Sequence, residues 1–188
     1  FSRESFGEER VGLVSESSLL IVPDGNKEAP HPKGNVIFTD TPDLCFCIVS
    51  KLFVSGDNSG IHPTAVISKS AQIGSEVCVG AFAYIDEDVV LSDNVVIGAS
   101  CVISNAKIGS RSQIYPSVKI GSPGLGSHKD KKGNWHEFPH VGWVMIGSDV
   151  LIQDNTVVNR GTLNNTVIEH GVRVGPGCWI GHGAQLKQ

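Results

Sequence analysis

The side chains in this sequence best suited to moving a proton or holding a metal are its seven histidines. His182 stands in the run Trp179-Ile180-Gly181-His182-Gly183-Ala184-Gln185, at the third position of a six-residue repeat, which makes it an outward corner residue. An outward imidazole is either solvated or catalytic, and the flanking Gly181 and Gly183 would let another chain or a ligand come close. His170 precedes His182 by 12 residues, so the repeat puts the two on different corners and one ion cannot join them. His136 and His140 have helical spacing, yet Pro139 between them argues against a helix. No metal centre is expected from these patterns.

A second candidate is the polar stretch between Pro123 and Gly142, which holds Gly124, Gly126, Trp135 and Phe138. The spacing of Gly121, Gly124 and Gly126 is not a dinucleotide fingerprint, and no helix-opening pattern follows it. Trp135 and Phe138 either cover a sugar or acyl ligand or pin the stretch to the body of the protein. The five cysteines form no C-x-x-C pair, so neither a disulfide framework nor a zinc ribbon is indicated.

The elements that must position these residues follow from composition and period. The chain has 188 residues, a formal net charge of −4, 22 glycines and only 6% aromatics, which favours a repetitive, glycine-rich architecture and excludes a strongly basic nucleic-acid binder. No apolar run reaches the roughly 18 to 20 residues of a membrane span. Aliphatic residues recur every six positions from Ile61 through Ile67, Ile73, Val79, Ile85, Leu91, Ile97 and Ile103. A five-residue step leads to Ile108, Ile114 and Ile120; the pattern resumes at Ile146, Ile152 and Val158, skips ten, and runs through Ile168, Val174, Ile180 and Leu186. The residue after the aliphatic is often Gly, as at Gly74, Gly80 and Gly98, which predicts a tight bend there. Four positions after it the side chains are small or β-branched, including Ala83, Val89, Cys101, Val150 and Cys178, which predicts a second inward position.

Three hexads per turn stack equivalent positions every 18 residues, so the fold class is mainly β, a parallel β-helix of triangular section. The helix is expected over 61–188 with an extruded loop at about 122–143. A small, incomplete α/β unit is expected over 1–60. Short strands are expected among Val11, Leu13 and Leu19 to Val22, and a helix opens at Thr41 as cap, with Pro42 and Asp43 in its first turn and Leu44, Ile48, Leu52 and Phe53 following.

The motifs Gly124-Leu125-Gly126-Ser127, Gly133-Asn134-Trp135, Pro139 to Gly147, Thr156 to Thr166 and Ile180 to His182 resemble the UDP-3-O-acylglucosamine N-acyltransferase family of lipid A biosynthesis, within the hexapeptide-repeat acyltransferases. With Ile61-His62-Pro63-Thr64-Ala65, the resemblance covers about two thirds of the chain. It implies a left-handed helix, a homotrimer, and His182 as the general base of transfer from a 3-hydroxyacyl carrier protein to the amine of a UDP-3-O-acylglucosamine. Gly124, Gly126 and Trp135 are the implied substrate-binding residues, with no cofactor and no metal. It implies a cytoplasmic protein by bacterial analogy, or a mitochondrial one for an organellar, plant-like relative. The sequence departs from the family in lacking a Phe-x-x-Asn-Pro-x-Tyr motif for the uracil ring, and in having Asn159, Asn164 and Asn165 where the family has acids. The family's later coils, with oxyanion contacts and an acyl groove, would lie beyond Gln188, so a C-terminally truncated form is expected. The alternative is a catalytically silent hexapeptide subunit with a structural role.

Overall fold

A computed structural model describes residues 19–26, 35–53 and 60–188. Contacts divide the chain into Phe1–Asp57 and Asn58–Gln188. In the first unit, β1 (Leu19–Pro23) and β2 (Asn35–Thr39) pair in parallel, Leu19 opposite Asn35 and Pro23 opposite Thr39. Helix α1 (Pro42–Ser50) runs on into a 3-10 turn over Lys51–Phe53. Thr41 occupies the N-cap position but makes no capping bond with its side chain; its hydroxyl is instead within 3.4 Å of that of Thr39 and bonds Asp40 at 3.5 Å. The expectation of a Thr cap is corrected on that point. Val11 and Leu13 lie outside the described residues.

The second unit is a mainly β, left-handed parallel β-helix. Its first face stacks the strands Val66–Ile67, Tyr84–Ile85, Val102–Ile103, Lys119–Ser122, Val157–Asn159 and Trp179–Ile180. The second face stacks Gln72–Ile73, Val90–Leu91, Ala106–Ile108, Val144–Ile146, Thr166–Ile168 and Gln185–Leu186. The third stacks Cys78–Val79, Val96–Ile97, Gln113–Ile114, Leu151–Ile152 and Arg173–Val174. The register puts aliphatic on aliphatic: Ile67 opposite Ile85, Ile85 opposite Ile103, Ile103 opposite Ile120, Ile120 opposite Val158 and Val158 opposite Ile180. With the aliphatic residues of the other two faces they fill one axial column, in which Ile85, Ile103 and Ile120 of the first face, Ile168 of the second and Ile152 of the third are wholly buried. Each such side chain contributes about 1.5–3 kcal/mol by leaving water.

The bends follow a different rule from the one read in the sequence. At nine corners a left-handed residue comes three positions after the aliphatic, at Glu76, Phe82, Asp88, Asn94, Ser100, Arg111, Ser117, Asp149 and Asn155, all with φ between 53° and 62°. The glycine one position after the aliphatic serves another purpose. A Cβ on Gly98 would lie 2.5 Å from the backbone nitrogen of Pro116, and one on Gly80 2.6 Å from that of Ala99, so only a hydrogen lets the next coil settle. The small inward positions are as expected for Ala83, Val89, Cys101 and Val150, and burial pushes the Cys101 thiol up to about 11. Cys178, in the last described coil, is exposed.

Candidate functional site

The hexad rule breaks repeatedly at a single edge, the one joining the first face to the second. There the step from Ile103 to Ile108 is one residue short, the next coil extrudes the loop after Ile120, the next takes ten residues from Val158 to Ile168, and the last carries His182 between Ile180 and Leu186. The loop leaves through an irregularity in which Ser122, not Gly121, pairs with Asn159. Gly121 has φ +90°, and a Cβ on it would strike the carbonyl of Ser104. The loop itself is a hairpin, Ser127–Lys129 antiparallel to Trp135–Glu137.

His182 is exposed, and its Nδ1 lies 3.0 Å from the hydroxyl of Thr162 in the coil before it. Its Nε2 takes part in none of the described hydrogen bonds, so it is the nitrogen available to a ligand. The other side of the ring is walled by the loop. A Cβ on Gly124 would come 2.5 Å from His182 Cδ2 and 2.9 Å from His140 Nε2. The rings of His140 and His182 meet edge to face, their centroids 5.0 Å apart and their planes at 74°. His140 is buried; its Nδ1 donates to the carbonyl of Phe138 at 3.0 Å, which leaves Nε2 a lone-pair acceptor, buried and without a partner. Such an orphan is expensive inside a protein, and it sits beside the candidate base.

Thus the structure brings Gly124 against His182 and puts Gly126 one step back, where a Cβ would meet Phe138 at 3.1 Å and His140 at 3.5 Å. Trp135 lies further out on the hairpin, exposed, with the Lys129 ammonium 5.3 Å from its ring centroid. His136 belongs to the same hairpin: its Nε2 donates to Asp130 at 3.0 Å. That bond, together with the amides of Asn134 and Lys132, holds the Asp130 carboxyl down at about 2. His170 faces Asp149 at 3.5 Å on another corner, where Arg111 clamps the same carboxylate at 2.6 Å. Among the described residues no group of three or more His, Cys, Asp and Glu could hold a metal ion.

Sequence reasoning missed the contributions of Thr162 and His140 to the His182 environment. The interrupted hexad between Val158 and Ile168 was the available signal, since extra residues at a corner must pack on something. The asparagines at acidic family positions also find roles. Asn159 is buried and its amide donates to the carbonyls of Ser122 at 3.2 Å and Pro123 at 3.0 Å, while its oxygen accepts from the Trp179 indole. A carboxylate could not make those two donations, so Asn159 ties the root of the loop to the coil below His182. Asn165 accepts from the backbone of Trp143 at 2.9 Å, and Arg160, its guanidinium pulled below its ordinary value by burial, donates to the carbonyl of Gly142 at 2.7 Å.

The fold is a hexapeptide-repeat β-helix of the build found in solved acyltransferases. Solved structures of the same build include the UDP-N-acetylglucosamine acyltransferase from Campylobacter jejuni, with TM-score 0.54 and 26% identity over 65% of this chain and 46% of that one. The UDP-N-acetylglucosamine O-acyltransferase from Moraxella catarrhalis matches with TM-score 0.56 and 26% identity over the same shares. The chain belongs to the family described as the GMPPB C-terminal domain, whose model matches residues 53–165 and so ends before His182. Relatives include proteins named UDP-3-O-acylglucosamine N-acyltransferase. The one from Coxiella burnetii is 35% identical over 173 residues, covering 81% of this chain and 51% of the relative. The one from Pseudomonas syringae is 33% identical over 191 residues, covering 90% and 53%. The chain therefore spans about half the length of these relatives.

Proposed function

We propose that this chain carries the general base of an N-acyltransferase that moves a 3-hydroxyacyl group from acyl carrier protein to the amine of a UDP-3-O-acylglucosamine, in lipid A type biosynthesis. The observation that carries the reading is His182, held through Nδ1 and presenting Nε2 at an irregular edge of the fold shared with named acyltransferases. The likeness to those enzymes favours transfer over a silent structural subunit. In the step proposed, the glucosamine nitrogen attacks the thioester carbonyl, its proton passes to His182 Nε2, the C–S bond breaks, and the proton goes on to the departing thiolate. Amide and free thiol result, with no cofactor or metal. An imidazole suits this because its ordinary titration lies near working pH.

Gly124 and Gly126 are assigned to the substrate-binding wall, and Trp135 to its outer rim. Leu125, Phe138, Val141 and Leu163 stand exposed on the segments that carry Gly124, His140 and Thr162, which suits an acyl ligand. A homotrimer is part of the proposal: Val66, Tyr84, Val102 and Trp179 present exposed apolar side chains along the first face. So are the division into an α/β unit over 1–60 and a catalytic helix over 61–188 with its loop at about 122–143, and a cytoplasmic location, or a mitochondrial one in an organelle-bearing host. Among the described residues no helix is long and apolar enough to cross a membrane.

The test is His182→Ala in the natural full-length protein, assayed for N-acyl transfer. The expected loss is about 100- to 10,000-fold, with the melting temperature nearly unchanged. Unaltered transfer by the variant would remove His182 as base.

A further inference from the structure

We propose that Thr162 is the positioning residue of His182: its hydroxyl accepts the Nδ1–H of the imidazole and so keeps Nε2 free of a proton and ready to take one. The base role of His182 rests on the acyl-transfer reading above; the hydrogen-bond direction is a separate claim with its own readout.

A neutral imidazole carries one N–H, and a threonine hydroxyl can give or accept, so the 3.0 Å contact has two senses. If the hydroxyl donates, Nδ1 is the acceptor and the proton sits on Nε2, which then cannot act as base. If the hydroxyl accepts, Nε2 is bare before the reaction. The same bond also survives after Nε2 is protonated, because an imidazolium donates from both nitrogens. Only the second sense requires no rearrangement during turnover, the condition under which a positioned dipole helps most. Thr162 is half-buried, so its own hydroxyl hydrogen can turn to water.

The backbone around Thr162 is built for this task. Its carbonyl accepts from the amide of Val141 at 2.8 Å, and the carbonyl of Gly161 accepts from the amide of Gly142 at 3.0 Å. A Cβ on Gly161 would strike the carbonyl of Asn164, so the turn closes only with glycine there. Val141 directly follows His140, hence one turn fixes both the hydroxyl on one side of His182 and the imidazole packed against it on the other. The β-branched threonine adds a stiff χ1.

The experiment uses the natural full-length protein with 15N-labelled histidine, the His182 signals being assigned by their loss in His182→Gln. Wild type is expected to show a protonated Nδ1 and a bare Nε2 at His182. In Thr162→Val the pattern shifts toward protonated Nε2, kcat falls by about 10-fold, the low end for partners that orient a working imidazole, and KM stays within about twofold. Thr162→Ser restores both pattern and kcat, and Thr162→Ala repeats the valine result without its bulk. A His182 nitrogen pattern unchanged in both Thr162→Val and Thr162→Ala overturns the proposal. A shifted pattern in a protein whose wild type transfers no acyl group upholds the role of Thr162 and overturns the acyl-transfer reading.

Discussion

The coils from Ile73 to Ile120, regular but for one short step, and the edge that carries His182 are made from the same repeat, and they treat polar groups in different ways. In the regular coils the strand amides are answered by the backbone of the next turn, that of Gly80 donating to the carbonyl of Ile97 at 2.8 Å and that of Gly98 to Ile114 at 2.7 Å, and side chains such as Thr64 and Asp93 serve only corner amides, those of Phe82 and Ser75. At the His182 edge the answering groups are side chains, Thr162, Asn159 and Asn165, and one imidazole nitrogen, His140 Nε2, goes unanswered. Repetition builds a core that asks little of the side chains on its surface. The partners of His182 enter where coils are lengthened, Thr162 from the ten-residue step and Gly124 and His140 from the extruded loop, while His182 itself stands in a step of ordinary length.

The largest expected effect breaks the regular half of this comparison. Ile97 is buried in the axial column, so Ile97→Asp places an unpaired charge there and should cost more than about 4 kcal/mol, enough to unfold the stack, whereas Lys131→Asp on the exposed hairpin should stay within about 0.5 kcal/mol. Thermal melts separate the two, and equal midpoints would show the inward register to be wrong.

A smaller effect distinguishes covered from uncovered coils. Gly98→Ala drives a Cβ to within 2.5 Å of the Pro116 nitrogen, which no side chain can relieve, and should cost about 1–3 kcal/mol. Gly175 holds the same repeat position with nothing within 4 Å of its would-be Cβ, so Gly175→Ala in this 188-residue chain should be neutral or gain up to about 1 kcal/mol. Urea midpoints on both variants sharpen or dissolve the distinction.

The smallest effect concerns the hairpin alone. Asp130 is held down at about 2, first by its bond from His136 and then by the Asn134 amide. A carboxyl whose folded value is lowered contributes order above its ordinary value of about 4 and loses it as the pH falls through about 2. Amide protection over 127–137, taken relative to the intrinsic exchange rate at each pH, should therefore fall in that acid window, and Asp130→Asn should lower it at neutral pH. Exchange that ignores both changes would detach Asp130 from hairpin order.

Much of the coil geometry was legible in the sequence because a period of six leaves few solutions: the residues at Ile85, Leu91 and Ile97 all point inward as read. The glycine rule was misread because sequence cannot separate a glycine needed for its φ from one needed for its missing Cβ. Gly98 is of the second kind, while the left-handed corners accept Phe82 and Arg111. His182 was visible as an outward histidine between glycines. Its neighbours were not, since the contact between Gly124 and His182 joins residues far apart in sequence, through a hairpin whose docking no local pattern encodes.

The edge where the first face passes to the second also says where this molecule can be rebuilt. Successive coils there have lost one residue, gained a hairpin and gained a four-residue turn, while the strands on either side keep their pairing from Ile103 to Ile120 and on to Val158. A solenoid usually resists insertion because a single added residue puts every later side chain out of phase. Here the phase is reset after each excursion by the ladder on the neighbouring faces, so this edge can accept grafted segments of different length, and new binding loops placed on it would inherit a rigid frame without disturbing the column behind it.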